Sequence, residues 1–329
     1  MENKQDLNDI VAEMATSVDI SESTKRHLML KINKLNKTKI NILITGATGC
    51  GKSSTINALF GKDEAKVGQG VDPETMDIQK FEFNNIVLWD SPGLGDGKES
   101  DRSHSKNIID KLHEKTEDGS ALIDLVLVLL DGSSRDLGTS YELINEVIIP
   151  NLGENTDRLL VAINQCDIAM SGRNWNHEKS EPEAKLTAFL DEKVVSTKRR
   201  IKEATGVDIT PIYYSAGYKD EDEEQQPYNL SKLLMLIINH TKPEKRAVYI
   251  NDLNKDKKVW EKDDELEDYT SNVQQSLWDS IVSVISSVKE ISEEVSTEID
   301  RVLVAGVKAI GSGAGKMVKS GIRVLRAIF

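Results

Sequence analysis

The chain has 329 residues, 38% of them hydrophobic and 29% charged, with 42 basic against 55 acidic side chains and a formal net charge of -13. That length buries a substantial core, either as one large domain with helical flanks or as two ordinary domains. The acidic balance excludes a surface built throughout for nucleic acid, so no direct DNA binding is expected.

The opening Met1-Glu2-Asn3-Lys4-Gln5 lacks the charged-then-apolar pattern of a secretory leader, and no apolar run is long enough to span a bilayer. Two cysteines, Cys50 and Cys166, give no disulfide framework and fit a reducing compartment. A cytoplasmic protein, soluble or peripherally attached to a membrane, is expected.

Residues 1–37 read as two short helices, with Leu7, Ile10, Val11 and Met14 on one face and Leu28, Ile32 and Leu35 on another. Over 38–243, apolar runs alternate with polar helical stretches, the pattern of a mainly parallel sheet wrapped by helices. The expected strands are Ile40 to Thr45, Ile86 to Trp89, Leu125 to Leu130, Leu159 to Ile163 and Ile212 to Tyr214. An acidic run over 219–224 reads as a solvated loop before a helix at Leu230 to Asn239.

From Pro243 to Lys258 the chain is charged and aperiodic, so a linker is expected there, opening a C-terminal helical region over 244–329. Tyr269, Val273, Leu277, Ile281, Val284, Val288, Ile291, Val295, Ile299 and Val302 then recur every three or four residues, as in a long amphipathic helix. From Arg301 onward the charges are all basic: Arg301, Lys308, Lys316, Lys319, Arg323 and Arg326. On a helix they form one stripe opposite a broad apolar side, which suits either an anionic membrane surface or internal packing.

Gly46-Ala47-Thr48-Gly49-Cys50-Gly51-Lys52-Ser53 follows an apolar strand and opens a helix beginning at Ser54, the context a P-loop requires. Its backbone N–H groups would cradle phosphate, Lys52 would reach the β and γ phosphates, and Ser53 would ligate Mg²⁺. Downstream, Asp90-Ser91-Pro92-Gly93 ends a strand: Asp90 would hold the metal through water, and the Gly93 N–H would sense the γ phosphate. Thr75, in the intervening loop, is the candidate to complete the metal's coordination and, with Lys52 and Gly93, the catalytic set.

Base choice would fall to Asn164-Gln165-Cys166-Asp167, since a carboxylate can accept both N1–H and the exocyclic amine of guanine, whereas adenine presents an acceptor at N1. Ser215 and Ala216, after the last expected strand, would meet the guanine carbonyl through backbone N–H.

On these motifs, 39–241 resembles the Era-like branch of the TRAFAC-class P-loop GTPases, and more narrowly the bacterial YfjP-type GTPases, in which Gln also stands at the position of Gln165. The resemblance implies an α/β fold with a mainly parallel six-stranded sheet, one antiparallel strand at Ile78 to Phe83, and helices on both faces. It implies a GTPase binding GTP and GDP with Mg²⁺ and acting as a molecular switch. Leu94 stands where many GTPases carry a water-orienting glutamine, and Gly49 where potassium-activated ones carry asparagine, so slow intrinsic hydrolysis is expected. Asp96, His104 and Arg135 are the remaining candidates for that role. The alternatives are a nucleotide-binding module with negligible hydrolysis and a GTP-controlled membrane effector. A homodimer through the G domain, an anionic membrane reached by the tail, and the ribosome or another protein are the open partners.

Overall fold

The computed structural model describes residues 7–9, 12, 19–61, 66–68, 78–93, 98–219, 224–286, 297–299 and 301. Seven strands form the main sheet: β1 (Ile40–Gly46), β2 (Lys66–Gly68), β3 (Gln79–Glu82), β4 (Ile86–Asp90), β5 (Leu125–Asp131), β6 (Leu159–Asn164) and β7 (Ile212–Tyr213), in the order β2-β3-β4-β1-β5-β6-β7. β4, β1, β5, β6 and β7 run parallel, while β3 is antiparallel to β4 and β2 to β3. The expected six-stranded, mainly parallel sheet is therefore present, and Lys66–Gly68 adds a short strand outside Gln79–Glu82. No apolar run announces that strand; its partner's free edge is what recruits it.

The central strands are buried on both faces, which is why they read as continuous apolar runs rather than alternations. Leu125, Leu127 and Leu129 of β5 point into one core, and Val126, Val128 and Leu130 into the other. The first core is covered by α1 (Glu22–Leu35), α2 (Lys52–Phe60), α6 (Leu230–His240) and α7 (Tyr269–Ser286). The second is covered by α3 (Lys98–His113), by α4 (Gly138–Glu142) with the π-helical segment Leu143–Ile148 that continues it, and by α5 (Ala184–Thr205).

The stretch expected as a linker is built into the first core. Pro243–Asn251 is a 3₁₀ segment whose Ala247, Val248, Tyr249 and Ile250 are all buried. Four consecutive apolar residues carry neither a helical nor a strand period, and the charges around them obscured the signal. Those charges fasten the segment: Lys245 Nζ meets Asp124 Oδ1 at 2.7 Å, and the Arg246 guanidinium reaches the Thr241 carbonyl and Ser276 Oγ, each at 2.9 Å.

α1 packs against the sheet and the C-terminal region at once, since Leu28, Ile32 and Leu35 share a core with β1, β4 and α7. Its first turn is capped by Ser21 and by the Glu298 carboxylate, which accepts the Ser21 N–H at 3.0 Å and its hydroxyl at 2.7 Å. Among the described residues no helix is long and apolar enough to cross a membrane. Most of the expected first helix, the continuation of the long helix past Ser286, and the basic tail after Arg301 lie outside the described residues.

Candidate functional site

Where β1 ends, the chain turns through the P-loop into α2, and Gly51 supplies the helix N-cap in the left-handed region at φ 86°. A side chain there would be strained by that φ and would run into the Asn164 amide. Cys50 is fully buried, and its burial pushes the thiol up to about 11, so it serves as a small packed residue rather than a nucleophile. Lys52 opens α2, with Ser53 and Ser54 exposed beside it. Thr55 Oγ1 donates to the Gly51 carbonyl at 2.8 Å and stands 2.6 Å from the buried Tyr214 hydroxyl. With the threonine proton committed to Gly51, Tyr214 is the donor of that second bond.

β4 delivers the second motif beside the first. Ser91 donates its backbone N–H to the Ile44 carbonyl at 3.0 Å and its hydroxyl to Thr45 Oγ1 at 2.7 Å. Gly93 lies against the P-loop so closely that a Cβ on it would sit 2.5 Å from the Thr48 nitrogen. Asp90 Oδ1 is buried with no hydrogen-bond partner among the described residues. Burial pushes the Asp90 carboxyl up to about 6, against the pull of the Lys52 charge.

Asn164 joins the phosphate and base ends of the site. Its Nδ2 donates to the Cys50 carbonyl at 2.9 Å, while its Oδ1 accepts the Ala216 N–H at 3.1 Å. Gln165, in the left-handed region at φ 60°, donates Nε2 to the Gly49 carbonyl at 2.9 Å. Asp167 follows, almost wholly buried, and Ser215 Oγ accepts the Gly217 N–H at 3.2 Å to fix the last loop.

The structure thus gathers the P-loop residues 46–54, Asp90, Gly93, Asn164, Gln165, Asp167, Ser215 and Ala216 around the carboxyl edge of the sheet. Thr75, Leu94 and Asp96 lie outside the described residues. His104 sits within α3, with Nε2 3.3 Å from Ser100 Oγ, and Arg135 is exposed on the loop after β5. The Thr55–Tyr214 bond escaped the sequence reading, because nothing local marks two hydroxyls 159 positions apart as neighbours.

Residues 41–165 match the family model described as "50S ribosome-binding GTPase". Over that segment the chain is similar to the G domain of P-loop GTPases. Similar curated proteins include Interferon-gamma-inducible GTPase 10 of Mus musculus, 39% identical over 70 residues that cover 20% of this chain and 17% of that protein. YkfA of Escherichia coli strain K12 is 29% identical over 174 residues, covering 51% of this chain and 55% of that one. The chain thus spans about half or less of the length of these relatives. Among solved structures, Toc33 of Arabidopsis thaliana in complex with GDP and Mg²⁺ is similar over 62% of this chain and 84% of that one, with TM-score 0.38 and 16% identity.

Proposed function

We propose that this protein binds GTP and GDP with Mg²⁺ and hydrolyses GTP slowly to GDP and phosphate, as a switch read by its flanking helices. The observation that carries this reading is the Asn164 amide, which ties the Cys50 carbonyl of the P-loop to the Ala216 N–H of the base loop. One side chain therefore sets the distance between the phosphate cradle and the guanine-reading group Asp167.

Lys52 holds the β and γ phosphates, and the Gly93 N–H reports on the γ phosphate. The orphaned, buried Asp90 oxygen fits a hydrated cation's outer shell; Ser53 would ligate the Mg²⁺ directly, and Thr75 would be the third residue to hold it. Bound Mg²⁺ supplies neutralisation of charge at the β and γ oxygens. With Leu94 in place of glutamine, a second copy pairing through the G domain contributes the missing stabilisation. Placement near the YfjP-type branch rests on Asn-Gln-Cys-Asp at 164–167 and on the likeness to YkfA.

Within this reading, the N-terminal segment at 1–37 and the C-terminal region at 244–329 sense the G domain at 38–243, and their described helices α1 and α7 pack on each other. One contact with that domain is the turn between β3 and β4, where Asp252 accepts the Asn84, Asn85 and Ile86 N–H groups. Calorimetric titration with GDP, ADP and xanthosine diphosphate tests the base assignment. Wild type should select GDP, and Asp167→Asn should move the preference toward the xanthine nucleotide. An Asp167→Asn variant that kept full guanine selectivity would refute it.

A further inference from the structure

A cleft of about 570 Å³ opens beside the guanine-reading loop but shares no residue with it, on the face of the sheet opposite α2. Its walls are the loop after β5 with the α4 helix that follows it, the turn after β6, and α5 from Phe189 to Arg200. Each contributes one arginine: Arg135, Arg173 and Arg200. None of the three is ion-paired among the described residues. Arg173 uses Nε on the Met170 carbonyl at 3.1 Å, and Arg200 lies 5.5 Å from the centre of the Tyr141 ring.

The other charges there are mostly committed. Lys193 donates to the Asp131, Gly132 and Ser134 carbonyls at 3.3, 2.7 and 2.7 Å, so it braces the loop rather than facing a ligand. Asp136 Oδ1 accepts the Gly138 N–H at 2.9 Å. That leaves Glu192 as the one lining carboxylate without such a bond, against three guanidinium groups.

Two further features mark the cleft. Phe189 remains 38% exposed on its wall, with the Lys193 ammonium 6.0 Å from the centre of its ring. Met170 and Ser171 are consecutive left-handed residues, at φ 55° and 63°, a conformation that non-glycine residues adopt at a cost and that clusters at ligand sites.

We propose that this cleft binds an anionic, ring-bearing metabolite of nucleoside-monophosphate size, whose occupancy tunes the guanine site. Guanidinium forks match phosphate oxygens in pairs, and Phe189 with Met170 offers the apolar contact that a flat ring requires. The volume falls in the range of small-molecule sites, roughly 300–1,000 Å³. The link to the guanine loop is direct. The Gly132 N–H donates to the Asn164 carbonyl at 2.8 Å, and the strained turn begins three residues after Asp167.

Photolabelling of the full chain with 8-azido-AMP, with and without excess GDP and Mg²⁺, tests the site independently of the guanine reading, because attachment is located by peptide mapping. The expected result is saturable labelling of peptides carrying Met170 or Phe189. It should persist with GDP present and in Lys52→Ala, and fall about tenfold or more in Arg173→Glu/Arg200→Glu. The Arg173→Lys/Arg200→Lys pair should retain part of it, with circular dichroism confirming that each variant folds. Labelling that does not saturate, that survives the double charge reversal, or that maps to the P-loop and is displaced by GDP would overturn the site. GDP affinity left unchanged by saturating AMP would overturn the coupling.

Discussion

Asp252 Oδ2 accepts the backbone N–H of Asn85 at 2.6 Å, across 167 positions of sequence. The same oxygen takes the Ile86 N–H at 2.8 Å, and Oδ1 takes that of Asn84 at 2.8 Å. Next to it, Asn251 Nδ2 reaches Asn85 Oδ1 at 2.7 Å and Asn36 Oδ1 at 3.1 Å, while Asn251 Oδ1 accepts the Leu7 N–H at 2.9 Å. Two adjacent residues of the C-terminal region therefore hold the turn that starts β4, the strand that ends at Asp90.

Replacing Asp252 with alanine should lower the free energy of unfolding by about 2–4 kcal/mol, because three N–H donors lose a fully buried acceptor and two of them, on Asn85 and Ile86, are buried themselves. The effect should depend on pH. Burial raises the Asp252 carboxyl above its ordinary value, against the N–H donors that lower it. A raised folded value contributes stability that is full below the unfolded value and is lost as pH rises through the folded one. Urea titrations should therefore show the gap between wild type and Asp252→Ala widest at acid pH and narrowing as pH rises through that range.

Tyr214→Phe removes the hydroxyl that donates to Thr55 Oγ1 and leaves the Thr55 bond to the Gly51 carbonyl in place. A loss of about 1 kcal/mol is expected, as for a single buried neutral hydrogen bond. A double-mutant cycle with Thr55→Val should show the two changes to be non-additive; strict additivity would mean the bond contributes nothing.

The sheet and the phosphate-binding motifs were legible because each is written locally. Ile40 to Gly46 is a buried run ending in glycine, and Gly46 to Ser53 has spacing that few sequences share. What escaped depends on contacts between distant segments. Asp252 looks like one more charge in a polar stretch until Asn84 and Asn85 are brought to it. Ala247 to Ile250 has no period that marks burial, and Lys66–Gly68 becomes a strand only because β3 offers an edge. The cleft under Arg135, Arg173 and Arg200 likewise draws on three separate elements.

Gln165→Lys should preserve the contact to the Gly49 carbonyl, now from an ammonium, and lay a longer apolar stem across the base. GDP affinity should rise by a few-fold, about 0.5–1 kcal/mol. Calorimetry showing weaker binding would mean that the shorter amide is the better fit here.

Hydrolysis should be slow, Mg²⁺-dependent and indifferent to K⁺ against Na⁺, given Leu94 and Gly49. If a second copy supplies the missing stabilisation, phosphate release per molecule should climb with protein concentration. A fast rate that stays constant on dilution would point to a catalytic group within the single chain.

The central claim is most directly tested by single-turnover hydrolysis of radiolabelled GTP and ATP in parallel, with wild type and Lys52→Ala, with and without Mg²⁺. The account predicts cleavage of GTP alone, in wild type alone, and only with Mg²⁺ present. Equal cleavage of ATP, or a rate that survives Lys52→Ala, would contradict it.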